Sequence, residues 1–185
     1  STYIFGAKIQ NHEQINSKLE KFVYEYKKNN QGKTISNRGG YHTGIISDEP
    51  IFHEFFDIAK PLILKTIENL NVKNINVIGS WININNKNAY NTEHNHPECD
   101  LAAVYYIRTP KNCGRIYMNN PVLQALMNQK MKNSKLNIYS QHLYFDIFEG
   151  MIFVFPGWLF HGVESNQSEN DRISMAFNLN VDFFK

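Results

Sequence analysis

Near residue 70 the texture of this chain changes. Beyond it stand six short runs rich in β-branched and aromatic residues: "INVIGSWINI", "LAAVYYIR", "GRIYMNN", "LYFDIF", "MIFVFPGWLF" and "RISMAFNLNV". Turn-forming stretches separate them: "NNKN", "TPKNCG", "EG", "PG" and "SNQSEND". Many short strands at this spacing close on themselves or stack in pairs. The part before residue 70 reads differently. "TYIFGAKI" suits an edge strand. "HEQINSKLEKFVYEYKK" sets Ile15, Leu19, Phe22, Val23 and Tyr26 at helical spacing, and "DEPIFHEFFDIAKPLILKTIENL" is a second amphipathic helix. Asp48 is its expected N-cap, Pro50 suits its first turn, and Pro61 should kink or divide it. "TISNRGGYHTG" between the helices reads as a glycine-rich loop, and "VLQALMNQKMKNSK" as a short helix or an insertion. Helices first and strands afterwards predict an α+β fold, with helices packed on a β-sandwich or barrel.

At 185 residues and 42% hydrophobic content the chain suits one domain, 1–185, with mainly helical support over 1–70 and a β core over 71–185. A formal charge of +2 with scattered lysines does not mark a nucleic-acid binder. No apolar run approaches a membrane span, and the first residues do not resemble a signal peptide, so no membrane partner is expected. Two cysteines, Cys99 and Cys113, make no disulfide framework and point to a reducing, cytoplasmic setting. With no base arranged beside either, both read as structural thiols.

"NTEHNHPEC", residues 91–99, is the densest cluster of metal-ligand chemistry. In an extended segment, side chains two apart share a face, so His94 and His96 can bind one ion from a sheet rim. His161, at the end of the apolar "GMIFVFPGWLF", is the natural third ligand: an ionisable ring there needs a partner if buried. A His-x-His pair alone is weak evidence and more often lies in a polar loop, and a lone histidine is more often structural. His12, His42, His53 and His142 show no comparable arrangement. A further element is "DRISMAFNLNV". Its alternation sends Ile173, Met175, Phe177 and Leu179 one way, and Arg172, Ser174, Ala176, Asn178 and Asn180 the other. If the second face lines an interior, Arg172 needs an anion, and with Ser174 forms a carboxylate clamp. A solvated face with an exposed Arg172 is the alternative.

Taken in order, these motifs resemble the Fe(II)- and 2-oxoglutarate-dependent oxygenases, and within them a branch found in marine bacteria and phages. The resemblance is carried by Ser36-Asn37-Arg38-Gly39-Gly40, Trp81-Ile82-Asn83, His94-Asn95-His96-Pro97, Val104-Tyr105-Tyr106, Gly150 through Val163, and Arg172-Ile173-Ser174-Met175-Ala176-Phe177-Asn178. It implies a double-stranded β-helix, or jelly-roll, of cupin-like form with helices buttressing the larger sheet. It implies Fe(II) held by His94 and His161, with His96 where the wider superfamily usually has a carboxylate. The register His96-x-Glu98 would supply a carboxylate at the same spacing and stays open. The resemblance further implies 2-oxoglutarate, its far carboxylate held by Arg172, Ser174 and Tyr106, with Asn83 on the pocket wall. Ascorbate would be an accessory reductant. Hydroxylation with release of succinate and CO2 follows, on a protein side chain or a small metabolite, in the cytoplasm (that of the host for a phage protein). The loops "SNRGGYHTG" and "NNKNAYNTE" would border the pocket mouth, and core packing is the default for Tyr90 and Trp158. Two alternatives stand beside this reading. One is a three-histidine metal enzyme of cupin type that needs no cosubstrate. The other is a non-enzymatic jelly-roll binding module.

Overall fold

The computed structural model describes residues 2–121 and 140–184, so the ambiguous stretch at 122–135 lies outside the described residues. Two antiparallel sheets face each other. The larger is built from β1 (Phe5–Lys8), β3 (Tyr41–His42), β4 (Val72–Asn85), β6 (Leu101–Arg108), β9 (Met151–Pro156) and β11 (Arg172–Phe183), in the order β1-β9-β6-β11-β4-β3. The smaller holds β2 (Asn37–Arg38), β5 (Tyr90–His94), β7 (Ile116–Asn119), β8 (His142–Phe145) and β10 (His161–Val163), in the order β2-β5-β10-β7-β8. Two helices, α1 (Glu13–Asn29) and α2 (Pro50–Thr66), cover the outer face of the larger sheet. This is the jelly-roll with helical support.

Period-2 alternation in β11 decides which face does what. Ile173, Met175, Phe177 and Leu179 are all fully buried, in one apolar cluster with Leu19 and Val23 of α1 and Phe52, Phe55 and Ile63 of α2. The helices bury these residues because their own apolar positions recur at three- and four-residue intervals. Buried Asn16 ties α1 to the sheet: its Nδ2 donates to the Ile107 carbonyl at 2.8 Å, and the Tyr105 hydroxyl donates to its Oδ1. A second, smaller cluster lies between the sheets, with Ala102, Tyr106, Phe153, Phe155 and Leu159. The other parity of β11 faces this inter-sheet space, beside Trp81, Asn83 and Asn85 of β4, which pair with Ala176, Ser174 and Arg172.

Some expectations about the helical part change. Asp48 does not cap α2; Glu49 holds that position without a side-chain cap bond. Pro50 opens the helix and offers no N–H there to be capped. Pro61 neither divides nor ends α2, which runs on to Thr66. The glycine-rich loop contributes two-residue strands to both sheets, β2 to the smaller and β3 to the larger, with Gly39 and Gly40 at φ +67° and +68° between them. A Cβ on Gly40 would lie 2.5 Å from the Ile84 carbonyl oxygen, so this turn needs glycine on two counts. Tyr90 and Trp158 are exposed rather than packed in the core.

Candidate metal centre

His94 ends β5 and is the register partner of His161 at the start of β10. Directly opposed residues on neighbouring strands share a face, and their ring centroids lie 4.4 Å apart. His96 lies just past the strand rather than in it. Its loop is fastened to the turn after β9: the His96 N–H donates to the Gly157 carbonyl at 2.7 Å, and the Gly157 N–H to the Asp100 carbonyl at 3.0 Å. The His96 ring stacks on Trp81 at 5.6 Å and sits 5.1 Å from both other histidines. Side-chain ligand atoms of His94, His96 and His161 fall within 4.8 Å of one another. Glu98, the alternative ligand, is exposed and is not part of this cluster.

Each ring has one nitrogen occupied. Nδ1 of His94 lies 2.7 Å from the Thr92 carbonyl, Nδ1 of His161 lies 2.9 Å from the Leu159 carbonyl, and Nδ1 of His96 lies 2.7 Å from Asn178 Oδ1. A carbonyl only accepts, so these partners hold the proton on Nδ1 and leave Nε2 with its lone pair. Burial pushes all three imidazoles below their ordinary pKa. His161 falls to about 3 and His96 to about 4, burial acting first and the neighbouring His94 second. Three neutral imidazoles with converging free nitrogens are the ligand form of histidine, and among the described residues no carboxylate joins their cluster.

Deeper in the inter-sheet space the polar residues of β4, β6 and β11 meet. Arg172 is 1% exposed. Its Nη1 donates to the carbonyls of Cys113 and, at 2.9 Å, Glu164, while Nη2 has no partner among the described residues. The Tyr106 hydroxyl is likewise buried and without a partner among the described residues, as are Oδ1 of Asn83 and of Asn85. Register places Ser174 between Asn83 and Tyr106. Burial raises the Tyr106 pKa, against the nearby Arg172 charge, so the hydroxyl keeps its proton. Orphaned buried donors each cost about 1–3 kcal/mol, and several on one surface mark a site shaped for a ligand absent from the protein alone. Two of the four are donors suited to a carboxylate, and one of them is cationic. A small cavity extends from the three histidines to Asn83 and Ser174, which line it with them; Arg172 and Tyr106 are not part of its lining. The residues therefore fit a divalent metal at the histidines and an acid reaching inward from it.

The sequence singled out His94, His96, His161, Arg172, Ser174, Tyr106 and Asn83, and the fold brings all of them to one interior. It missed Asn85, Trp81 as the stacking partner of His96, and Asn178. The inward parity of Asn178 on β11 was a signal available for the last. Cys99 and Cys113 form no disulfide, and burial pushes both thiols up, Cys99 to about 11, which does not suit a nucleophile. Among the described residues no helix is long and apolar enough to cross a membrane.

A family model described as "Putative 2OG-Fe(II) oxygenase" matches residues 79–178. No curated protein sequence matches the chain. Among solved structures, a Pseudomonas putida prolyl-4-hydroxylase superposes with a TM-score of 0.64 at 13% identity, covering 97% of this chain and 93% of its own. The viral collagen prolyl hydroxylase of Paramecium bursaria Chlorella virus 1, solved as a 2-oxoglutarate complex, gives 0.62 at 10% identity over 96% and 95%. HygX of Streptomyces hygroscopicus, solved with nickel, 2-oxoglutarate and hygromycin B, gives 0.67 at 11% identity over 100% and 85%. At such identities the superpositions establish a shared fold.

Proposed function

Because the chain belongs to the 2OG-Fe(II) oxygenase family, we propose that His94, His96 and His161 are its iron ligands and that Arg172, Tyr106, Ser174 and Asn83 hold its 2-oxoglutarate. The protein is an Fe(II)- and 2-oxoglutarate-dependent dioxygenase. With both groups bound, the site couples oxidation of 2-oxoglutarate to succinate and CO2 with oxidation of a substrate C–H bond: one atom of O2 goes to succinate and the other, in a hydroxylation, to the substrate as a hydroxyl.

The chain's own residues have three tasks in this reading. The imidazoles supply three nitrogens from two strands and a loop that the fold has already fixed, and the acceptors on Nδ1 keep each ring in the ligating tautomer. Arg172 and Tyr106 donate to the far carboxylate, with Ser174 beside them; the ligand relieves the orphaned Nη2 and hydroxyl. Phe155 and Val163 are part of the wall that keeps this interior from bulk water. A site with three neutral ligands leaves the metal at a net +2, one unit above the usual two-histidine, one-carboxylate set. The observation that carries the assignment is the pairing of free imidazole nitrogens with unpartnered buried donors on one interior surface.

Anaerobic titration with Fe(II) and 2-oxoglutarate tests it. The expected result is a saturable visible charge-transfer band of a chelated keto acid. Arg172→Ala should weaken 2-oxoglutarate at least tenfold while leaving Fe(II) stoichiometry unchanged. Metal binding without a band would favour the cosubstrate-free three-histidine enzyme. Retained iron in His161→Ala would remove that residue from the ligand set. The substrate class in this reading is an organic molecule or side chain that presents a C–H bond at the mouth of the site.

A further inference from the structure

A second cavity, of about 200 Å3, abuts the three-imidazole cluster from the outside. It and the inner cavity share Ser36, Trp81, His94 and His96, so the two adjoin at these side chains. The unpartnered donors Tyr106 and Arg172 lie on the inner side. The outer cavity is of different character. Ile35 and Ile45, 63% and 60% exposed, stand at its mouth, and Trp81 forms a wall. Trp81 is stacked between two imidazoles: His96 at 5.6 Å and 9°, and His42 at 5.7 Å and 13°. His42 is buried, and its Nδ1 is taken by the Thr43 carbonyl. Trp81 is thus held on both faces, and it sets this wall of the cavity against the proposed iron ligands.

Charge at this cavity has one sign. Among the described residues no aspartate or glutamate lines it, and the exposed ammonium of Lys33 does. Among the described residues no carboxylate lies within ion-pair distance of Lys33. A cation without a counter-charge beside exposed isoleucines, over an aromatic wall, matches a ligand with an apolar body and an anionic end. We propose that this outer cavity is the substrate pocket and that it takes a small aliphatic carboxylic acid, its chain between Ile35, Ile45 and Trp81 and its carboxylate on Lys33. With the cosubstrate reaching inward toward Arg172, the outer cavity, which meets the inner one at His94 and His96, is left as the approach for a C–H bond. The inference rests on the oxygenase reading of the same centre.

The test uses 15N-labelled protein loaded with 2-oxoglutarate and Zn(II), a diamagnetic stand-in for Fe(II), with hexanoate as probe. Hexanoate should shift the backbone amides of Ile35, Thr43, Gly44, Ile45 and Asn95. It should bind at least tenfold more tightly than hexan-1-ol or hexylamine. Lys33→Gln should remove most of the advantage over the alcohol and leave the alcohol's own affinity unchanged. Saturating 2-oxoglutarate keeps the probe from the Arg172 end, and the Fe(II) band described above reports independently on the centre, so a failed pocket and a failed oxygenase reading give different results. The proposal is overturned if hexanoate, alcohol and amine bind alike, if Lys33→Gln changes nothing, or if the shifts map elsewhere. Tighter binding of uncharged N-acetyl-leucine N-methylamide would also overturn it, in favour of a peptide-borne side chain.

Discussion

Asn178 shows how one amide can determine what a metal site is made of. Its Oδ1 sits 2.7 Å from His96 Nδ1 and so presents His96 Nε2 to the other two rings. His94 and His161 receive the same service from backbone carbonyls of their own local chain, at Thr92 and Leu159. The first two imidazoles are therefore oriented by neighbours two residues away, whereas His96 depends on a side chain from the opposite sheet. Asn178 itself sits where the β11–β4 register slips, between its own pairing with Gly79 and that of Leu179 with Val77. Such irregularities re-aim a side chain next to a site. Asn178→Leu should lower Fe(II) affinity by about 10–100-fold, the usual effect of losing an outer-shell partner. Asn178→Asp, which still accepts from Nδ1, should restore most of it. In the Co(II)-loaded protein, the exchangeable Nδ1 proton of His96 should be lost from the paramagnetically shifted NMR spectrum in the leucine variant and return in the aspartate variant. Equal loss of metal in both variants would mean that Asn178 acts through packing alone.

At the scale of the element, the turn after β9 is as much a part of the centre as any ligand. A Cβ on Gly157 would fall 2.3 Å from the Cys99 carbonyl oxygen and 2.6 Å from that of His96. That space lets the 95–100 loop lie against the turn and hold His96 over Trp81. Gly157→Ala should cost about 1–3 kcal/mol, the range for overpacking, and should weaken Fe(II) more than it lowers stability. Gly6→Ala on β1 meets only ordinary contacts at 3.5 Å and serves as the control. Urea denaturation with and without metal separates the two effects; equal behaviour of the two variants would sink the argument. Legibility in the sequence follows the same division between long and short elements. Helices α1 and α2 announce themselves by apolar residues at helical spacing, and strands β4, β6, β9 and β11 by long runs of β-branched and aromatic residues; the alternation within β11 also gave the inward parity of Arg172 and Ser174. Strands β2, β3, β5 and β10 are two to five residues of largely polar sequence. Only pairing with distant partners makes them strands, so "NR", "YH", "YNTEH" and "HGV" carry no periodic signal. For the same reason the spacing of His94 and His96 suggested a shared strand face, while the fold uses a strand end and a tethered loop.

For the whole molecule, the two sheets are unequal, and the metal centre sits where they meet. β4 and β11 are 14 and 12 residues long and are backed by two helices, with the large apolar cluster between. The smaller sheet has strands of two to five residues, and its inner side shares only the lesser cluster. Fewer buried apolar contacts mean cheaper local opening, so the smaller sheet should exchange its amides sooner than the larger. Two of the proposed ligands, His94 and His161, stand on β5 and β10 of that weaker sheet, and His96 is tied through Asn178 to β11 of the stronger one. A metal ion that binds only the folded state adds about 2.7 kcal/mol at a hundredfold excess over its dissociation constant. Because it links the two sheets, that gain should not be spread evenly. Hydrogen exchange with and without Fe(II) and 2-oxoglutarate, under anaerobic conditions, should show added protection concentrated in β5, β10 and the 95–100 loop. The amides of α1 and α2 should change only as far as global unfolding limits them. A uniform rise, or none in β5 and β10, would show that the ion does not bridge the sheets. The concentrated pattern would instead mean that the outer pocket beside β5 becomes rigid only once the centre is loaded, so that substrate meets a formed cavity after metal and cosubstrate are in place.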